Sequence, residues 1–207
     1  MIGRFSALAG AILLLAAGCT PPPAPAPASL PEPQRSYPPV DFGGQRVLIL
    51  PLQAADGLPG TREEMTRELI FALTERDART VWITPDQLRS ALRRTPGYAE
   101  DPGALPADAF QHHGDYYIQE PLASVVRRYS AITDARLVLI PRAARWVPWP
   151  DQPGGRVRFA AAVVDARTGV LVWMGEADGL TQPNPGAAAV ASAAAIMAER
   201  MVVAGRR

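Results

Sequence analysis

The 207-residue chain carries 21 basic and 20 acidic residues, two histidines, one cysteine and 22 prolines. Near-neutrality argues against a nucleic-acid binder, because no basic excess exists to displace counterions from a phosphate backbone. A lone cysteine supplies neither a disulfide framework nor a thiolate metal site, and every basic residue is arginine, which reads as base composition rather than chemistry.

The chain opens with Arg4 as its only early charge, and Phe5 to Gly18 is apolar or small apart from Ser6. This is the layout of an export signal. At about 1.5 Å per residue such a run reaches about 21 Å, short of the roughly 30 Å hydrocarbon core that a spanning helix must cross. The next stretch, Leu15-Ala16-Ala17-Gly18-Cys19, resembles the lipobox of bacterial lipoproteins. That resemblance implies cleavage before Cys19, a thioether from its sulfur to diacylglycerol, and acylation of the new amino terminus. Acyl chains contribute about 0.8 kcal/mol per buried methylene, so three of them make a lasting anchor. Thr20 is not the aspartate that retains well-studied lipoproteins at the inner membrane, so the outer membrane is the expected location, with the domain facing the periplasm.

Thr20 to Val40 holds nine prolines. It reads as a polyproline-II-leaning tether reaching up to roughly 65 Å at about 3.1 Å per residue. The expected organisation is therefore a signal peptide over 1–18, the lipidated Cys19 and linker over 19–40, and one domain over 41–207. Without Arg4 the remaining arginines balance the acidic residues.

In that domain Val47 to Leu52 is a continuous apolar run, which suits a strand covered on both faces. Thr61 with Glu64 forms a capping box for a helix whose apolar face uses Met65, Leu69, Ala72 and Leu73, widened by Ile70 and Phe71. Arg79 to Ile83 is a short strand. Thr84 and Pro85 are the N-cap and first residue of the next helix. Thr95 to Gly114 is broken by prolines and glycines. Helix returns over Glu120 to Ile132, with Leu122, Val125, Val126, Tyr129 and Ile132 on one stripe. Leu137 to Ile140 is buried strand. A break at Pro148 to Gly155 precedes a hairpin that turns at Asp165 to Gly169, where glycine permits positive φ. Pro185 opens an alanine-rich last helix. The order β-α-β-α-α-β-β-β-α predicts a single three-layer α/β (α+β) domain with a mixed sheet: parallel or mixed early strands, then an antiparallel meander.

These pieces, Val47 to Pro51, Ala135 to Pro141, and Val164-Asp165 through Thr168-Gly169 to Val172-Trp173, resemble a small α/β domain. It is shared by the TolB amino-terminal domain, the LpoB-type activators of penicillin-binding proteins and the CsgG-like curli-secretion channels. The resemblance implies the fold but no single task. It points to a non-catalytic envelope lipoprotein that docks on a partner, such as a cell-wall synthase or secretion component, in outer-membrane or cell-wall maintenance. The alternative it implies is a subunit of an oligomeric curli-like secretion assembly. The pair of long amphipathic insertions a channel would need is not seen.

Candidate chemistry is sparse. His112, His113 and Asp115 could bind a metal, but adjacent histidines in an extended segment point apart. Ser124, Ser130 and Ser192 lack a nucleophile-elbow context. Glu63, Glu64 and Glu68 read as a solvated helix face, and Asp165 with Thr168 as turn chemistry. No cofactor is expected. Trp146 and Trp149, in a connection that also holds Pro148, Pro150 and Pro153, have two readings. They anchor a partner or the cell wall, or Trp146 packs under the sheet and Trp149 lids the core. Tyr98, Tyr116 and Tyr117 are candidates for the same face.

Overall fold

The computed structural model describes residues 37–95, 97, 101–105, 116–150 and 153–203. Cys19, Tyr98, His112, His113 and Asp115 lie outside them. The described elements are β1 (Arg46–Ile49), β2 (Ala54–Asp56), α1 (Arg62–Arg76), β3 (Val81–Ile83), α2 (Pro85–Arg93), α3 (Leu122–Thr133), β4 (Leu137–Pro148), β5 (Gly155–Asp165), β6 (Leu171–Asp178) and α4 (Ala187–Met201). They build a single mixed α/β domain around one six-stranded sheet of order β3-β1-β4-β5-β6, with β2 paired to β4 off that path. Both β1–β3 and β1–β4 are parallel, and β4–β5–β6 is an antiparallel meander.

Side chains alternate across each strand, so the apolar runs feed two cores. Val47, Ile49, Leu137, Leu139, Val157, Phe159, Ala161 and Val163 pack with α1 and α4 on the first face. Leu48, Leu50, Val138, Ile140, Ala162 and Val164 pack with α2 and α3 on the second. Burial on both faces is why these strands read as continuous rather than alternating. The α4 alanines Ala189, Ala193, Ala194 and Ala198 let that helix lie close to the sheet. At the end of β6 a Cβ on Gly179 would stand only 2.9 Å from the Ala193 backbone nitrogen, so any larger residue would push α4 away.

Both capping boxes form. The Thr61 and Thr84 hydroxyls accept from the Glu64 and Gln87 amides, and the Glu64 and Gln87 side chains accept from the cap amides in return. Phe71 departs from expectation. It stands two residues from both Leu69 and Leu73, hence on the far side of α1, and is 64% exposed. Strand β2 was not expected either. Its sequence is Ala-Ala-Asp, wholly exposed, with no alternation to betray it. It exists because β4 runs on past Pro141 and offers Ala143 to Arg145 as partners. Strand β4 is twelve residues long because a bulge at Arg142 absorbs the proline, which has no amide to give the ladder.

Candidate functional site

The antiparallel ladder between β4 and β5 runs from Leu137↔Asp165 at one end to Pro148↔Gly155 at the other. At about 3.4 Å per residue it is close to 40 Å long. The first described residues join at the Leu137 end, where Val40 bridges Val202 and the Arg46 guanidinium donates to the carbonyls of Thr133 and Asp134 just before β4. The Trp-bearing turn lies at the opposite end. There the Trp149 amide donates to the Gly154 carbonyl at 3.0 Å, and Gly155 and Gln182 exchange backbone hydrogen bonds, tying the turn to the loop after β6.

Trp146 and Trp149 have different surroundings. Trp146 points to the first face, packs against the core there, and is half-buried. Its ring fills the space a Cβ on Gly155 would need, 2.7 Å away. Trp149 lies just past β4, with the Arg156 guanidinium over its ring at 5.0 Å. Its indole Nε1 is shielded from water and has no acceptor among the described residues.

The second face changes character along its length. Its core ends at Ile140 and Ala162, and beyond them no described helix is packed on it. Ala143 and the buried Ala160 come next, and charged side chains follow them. Arg145 alternates with the first-face Ala144 and Trp146, Arg156 and Arg158 flank Val157, and Glu176 and Asp178 flank Ala177. Register puts Asp56, Arg145, Arg158 and Asp178 in one row across β2, β4, β5 and β6. Arg158 donates through Nε and Nη2 to the two carboxylate oxygens of Asp178, the second at 2.9 Å, and approaches Glu176 at 3.7 Å. Arg156 meets Asp178 at 3.1 Å, whereas Arg145 reaches Glu176 only at 3.9 Å.

The charges respond accordingly. The hydrogen bond from Arg158 holds the Asp178 carboxyl below the usual carboxylate range despite burial, with Arg156 and Arg200 adding to the effect. The same bond lifts the Arg158 guanidinium above its ordinary value. Burial pushes Arg142 down, and nearby Glu176 opposes that. Sequence reading gave these residues no functional role. For four of them the signal was the spacing Arg-Val-Arg at 156–158 and Glu-Ala-Asp at 176–178, charges two apart on one strand face.

Other candidates resolve into structure. Asp165 is buried at the β5 end and accepts from Arg136, from the Arg167 amide at 3.0 Å and from the Thr168 amide at 3.3 Å, while Gly169 takes φ +75°. Burial opposes its ionisation, but Arg136 and the two amides outweigh that and hold the carboxyl low. Glu64 closes its capping box. The Ser124 hydroxyl accepts from Arg127, that of Ser130 donates to the Ala135 carbonyl, and that of Ser192 bridges Ala189 and Leu180. Tyr116 and Tyr117 are exposed beside the start of β6, where the Leu171 amide donates to the Tyr116 carbonyl and Tyr117 bridges Val170. Among the described residues no group of His, Cys, Asp and Glu side chains is placed to hold a metal ion, and no helix is long and apolar enough to cross a membrane. Two shallow concavities of about 430 and 490 Å³ lie along α3, lined by residues that include Ser130 with Arg136 and Ser124 with Arg128, away from the Trp-bearing end.

The architecture is that of a three-layer α/β domain with a charged sheet end on whose second face none of the described helices packs. No protein-family model matches the chain, and no curated protein matches it. Among solved structures it is similar to the LpoB C-terminal domain from Salmonella enterica, at 16% identity and a TM-score of 0.42 over 67% of this chain and 84% of that one. It is similar to the PelC dodecamer from Paraburkholderia phytofirmans, at 13% identity and 0.43 over 82% and 95%. It is also similar to the lipoprotein GNA1162 from Neisseria meningitidis, at 14% identity and 0.38 over 69% and 84%. At these values the likeness assigns neither family nor activity.

Proposed function

We propose that this protein is a lipid-anchored module of the bacterial envelope, held by acylated Cys19 at the outer membrane. It docks through the Trp149 end of its sheet on a partner protein, such as a cell-wall synthase or secretion component. The observation that carries the reading is the sheet end on which none of the described helices packs, with guanidinium and carboxylate groups held in register beside a tryptophan. A planar guanidinium fixed by bidentate pairing, and a tryptophan on a turn, are groups that contribute strongly at interfaces. The first described residues join the domain at the far end of the same ladder, where Val40 bridges Val202.

Among the described residues, the carboxylates with displaced pKa values all move down, toward permanent ionisation. A general acid at neutral pH needs the opposite displacement. The oligomeric secretion reading gains no support from β6, whose outer side is blunted where Arg200 donates to the Glu176 carbonyl at 2.8 Å.

A photo-crosslinking residue at position 149 in living cells, against one at the exposed Arg67 of α1, tests the docking end. A discrete protein adduct specific to position 149 is expected, and equal or absent adducts at both positions overturn the reading. Mass spectrometry of the native product tests the anchor: a diacylglyceryl thioether on Cys19 is expected, and an unmodified thiol refutes it.

A further inference from the structure

We propose that the outward face of α1 is a self-association surface, on which a second copy of this chain docks about a twofold axis at Phe71. The proposal does not rest on docking through the Trp149 end. Helix α1 lies beside α4 on the first face of the sheet, and its buried residues Met65, Thr66, Leu69 and Leu73 turn inward. Phe71 points the opposite way and is 64% exposed. A single exposed apolar side chain is ordinary on a protein surface. What sets this one apart is its flanks. Arg67 and Glu75 stand one turn before it and one turn after it, on the same stripe of the helix. Both are exposed, and among the described residues neither has a hydrogen-bond or ion-pair partner. They lie about 12 Å apart along the helix axis, too far to pair with each other.

The order cation, aromatic ring, carboxylate is its own complement. A second α1 laid antiparallel and centred on Phe71 reverses it, so Arg67 of each copy meets Glu75 of the other and the two rings meet at the axis. Because such a contact is isologous, each ion pair is made twice. Glu68 and Thr74, three residues to either side of Phe71, bring no like charges together. The neighbouring helix offers little bulk against this approach, since the exposed positions of α4 include Ala188 and Ala195. An unrelated partner would need the same three groups in reverse order, whereas a second copy carries them by construction. Aromatic pairing at the axis adds to the two ion pairs.

The test is sedimentation equilibrium of the full-length protein in density-matched detergent over a concentration series. A monomer–dimer equilibrium is expected. Phe71→Ala is expected to weaken it about tenfold. Arg67→Glu, which sets like charges against each other twice, is expected to weaken it by about the same factor. Adding Glu75→Arg to Arg67→Glu exchanges the two charges and is expected to restore association, which separates lost complementarity from lost fold. A monomer at every concentration overturns the proposal. So does association of equal strength in all variants, which would mean only that copies share micelles, and so does a double variant that stays as weak as Arg67→Glu. A crosslink through position 67 would join two identical chains, so mass spectrometry tells it from a partner adduct at position 149.

Discussion

Arg158 of β5 and Asp178 of β6 are direct register partners, and the guanidinium of one spans both carboxylate oxygens of the other. Each side chain is about one-quarter exposed, so water screens the pair only in part. A double-mutant cycle with Arg158→Ala and Asp178→Asn is expected to show a coupling of about 1 kcal/mol in urea unfolding. Coupling near zero would mean that the pair is ornamental and the open face is not held in a fixed arrangement.

Asp165 is an acid-sensitive point of the fold. Its side chain is 7% exposed and closes the β5–β6 turn through Arg136 and two backbone amides. Asp165→Ala leaves those donors unpaired and is expected to cost about 2 kcal/mol, read from the shift in urea midpoint. A cost below a few tenths would show that the turn holds without the side chain.

The pH dependence follows from the three depressed carboxyls that are also partly buried, Glu120, the fourth, being fully exposed. Asp77 caps the end of α1; burial opposes its ionisation, but Thr80 and Arg79 outweigh it. Asp165 and Asp178 are likewise held below their unfolded value. Below that unfolded value the unfolded chain binds more protons than the native one. The stability these groups contribute is therefore fully present at neutral pH and is lost as the pH falls from about 4 through their lower native values. Unfolding free energies from pH 7 to 3 are expected to fall on the acid side, less steeply in Asp165→Asn. Parallel curves for the two proteins would count against the assignment.

Two glycines make a matched comparison. Gly155 faces the Trp146 ring and the Val147 carbonyl, with no room for a methyl group, whereas nothing lies within 4 Å of a Cβ on Gly186. Gly155→Ala is expected to lower stability by about 1–3 kcal/mol through overpacking. Gly186→Ala, at the extended N-cap of α4, is expected to change it by only a few tenths. Similar melting shifts in the two variants would contradict the packing of Trp146 under the turn.

The helix caps offer a local check. Thr84→Ala removes the acceptor for the Gln87 amide at the start of α2 and is expected to cost about 1 kcal/mol. An unchanged melting temperature would show that Pro85 at the first helical position suffices without the cap.

The readable parts of the fold are those encoded within a few residues. Thr61-x-x-Glu64 and Thr84-Pro85 mark helix starts because each cap is satisfied by its own first turn. Val47 to Leu50 and Leu137 to Ile140 announce strands because burial on two faces leaves no polar position. Gly169 and Asp165 announce a turn because they meet its backbone demands themselves. Phe71 was misjudged because adjacency in an apolar cluster says less than angular position around the helix.

Strand β2, the length of β4 and the charged row needed the tertiary structure. Ala54 to Asp56 has no pattern of its own and becomes strand only against Ala143 to Arg145. Arg145, Arg158 and Asp178 are far apart in the chain, and their alignment depends on a bulge at Arg142 and on two antiparallel registers. By itself the order of residues determined where the helices cap and which runs are buried, since propensity, capping and burial act over short range; that Trp146 belongs to β4 and only Trp149 to the turn was not legible there. Which charges face each other was decided only when the strands came together, because register is a property of pairs of strands.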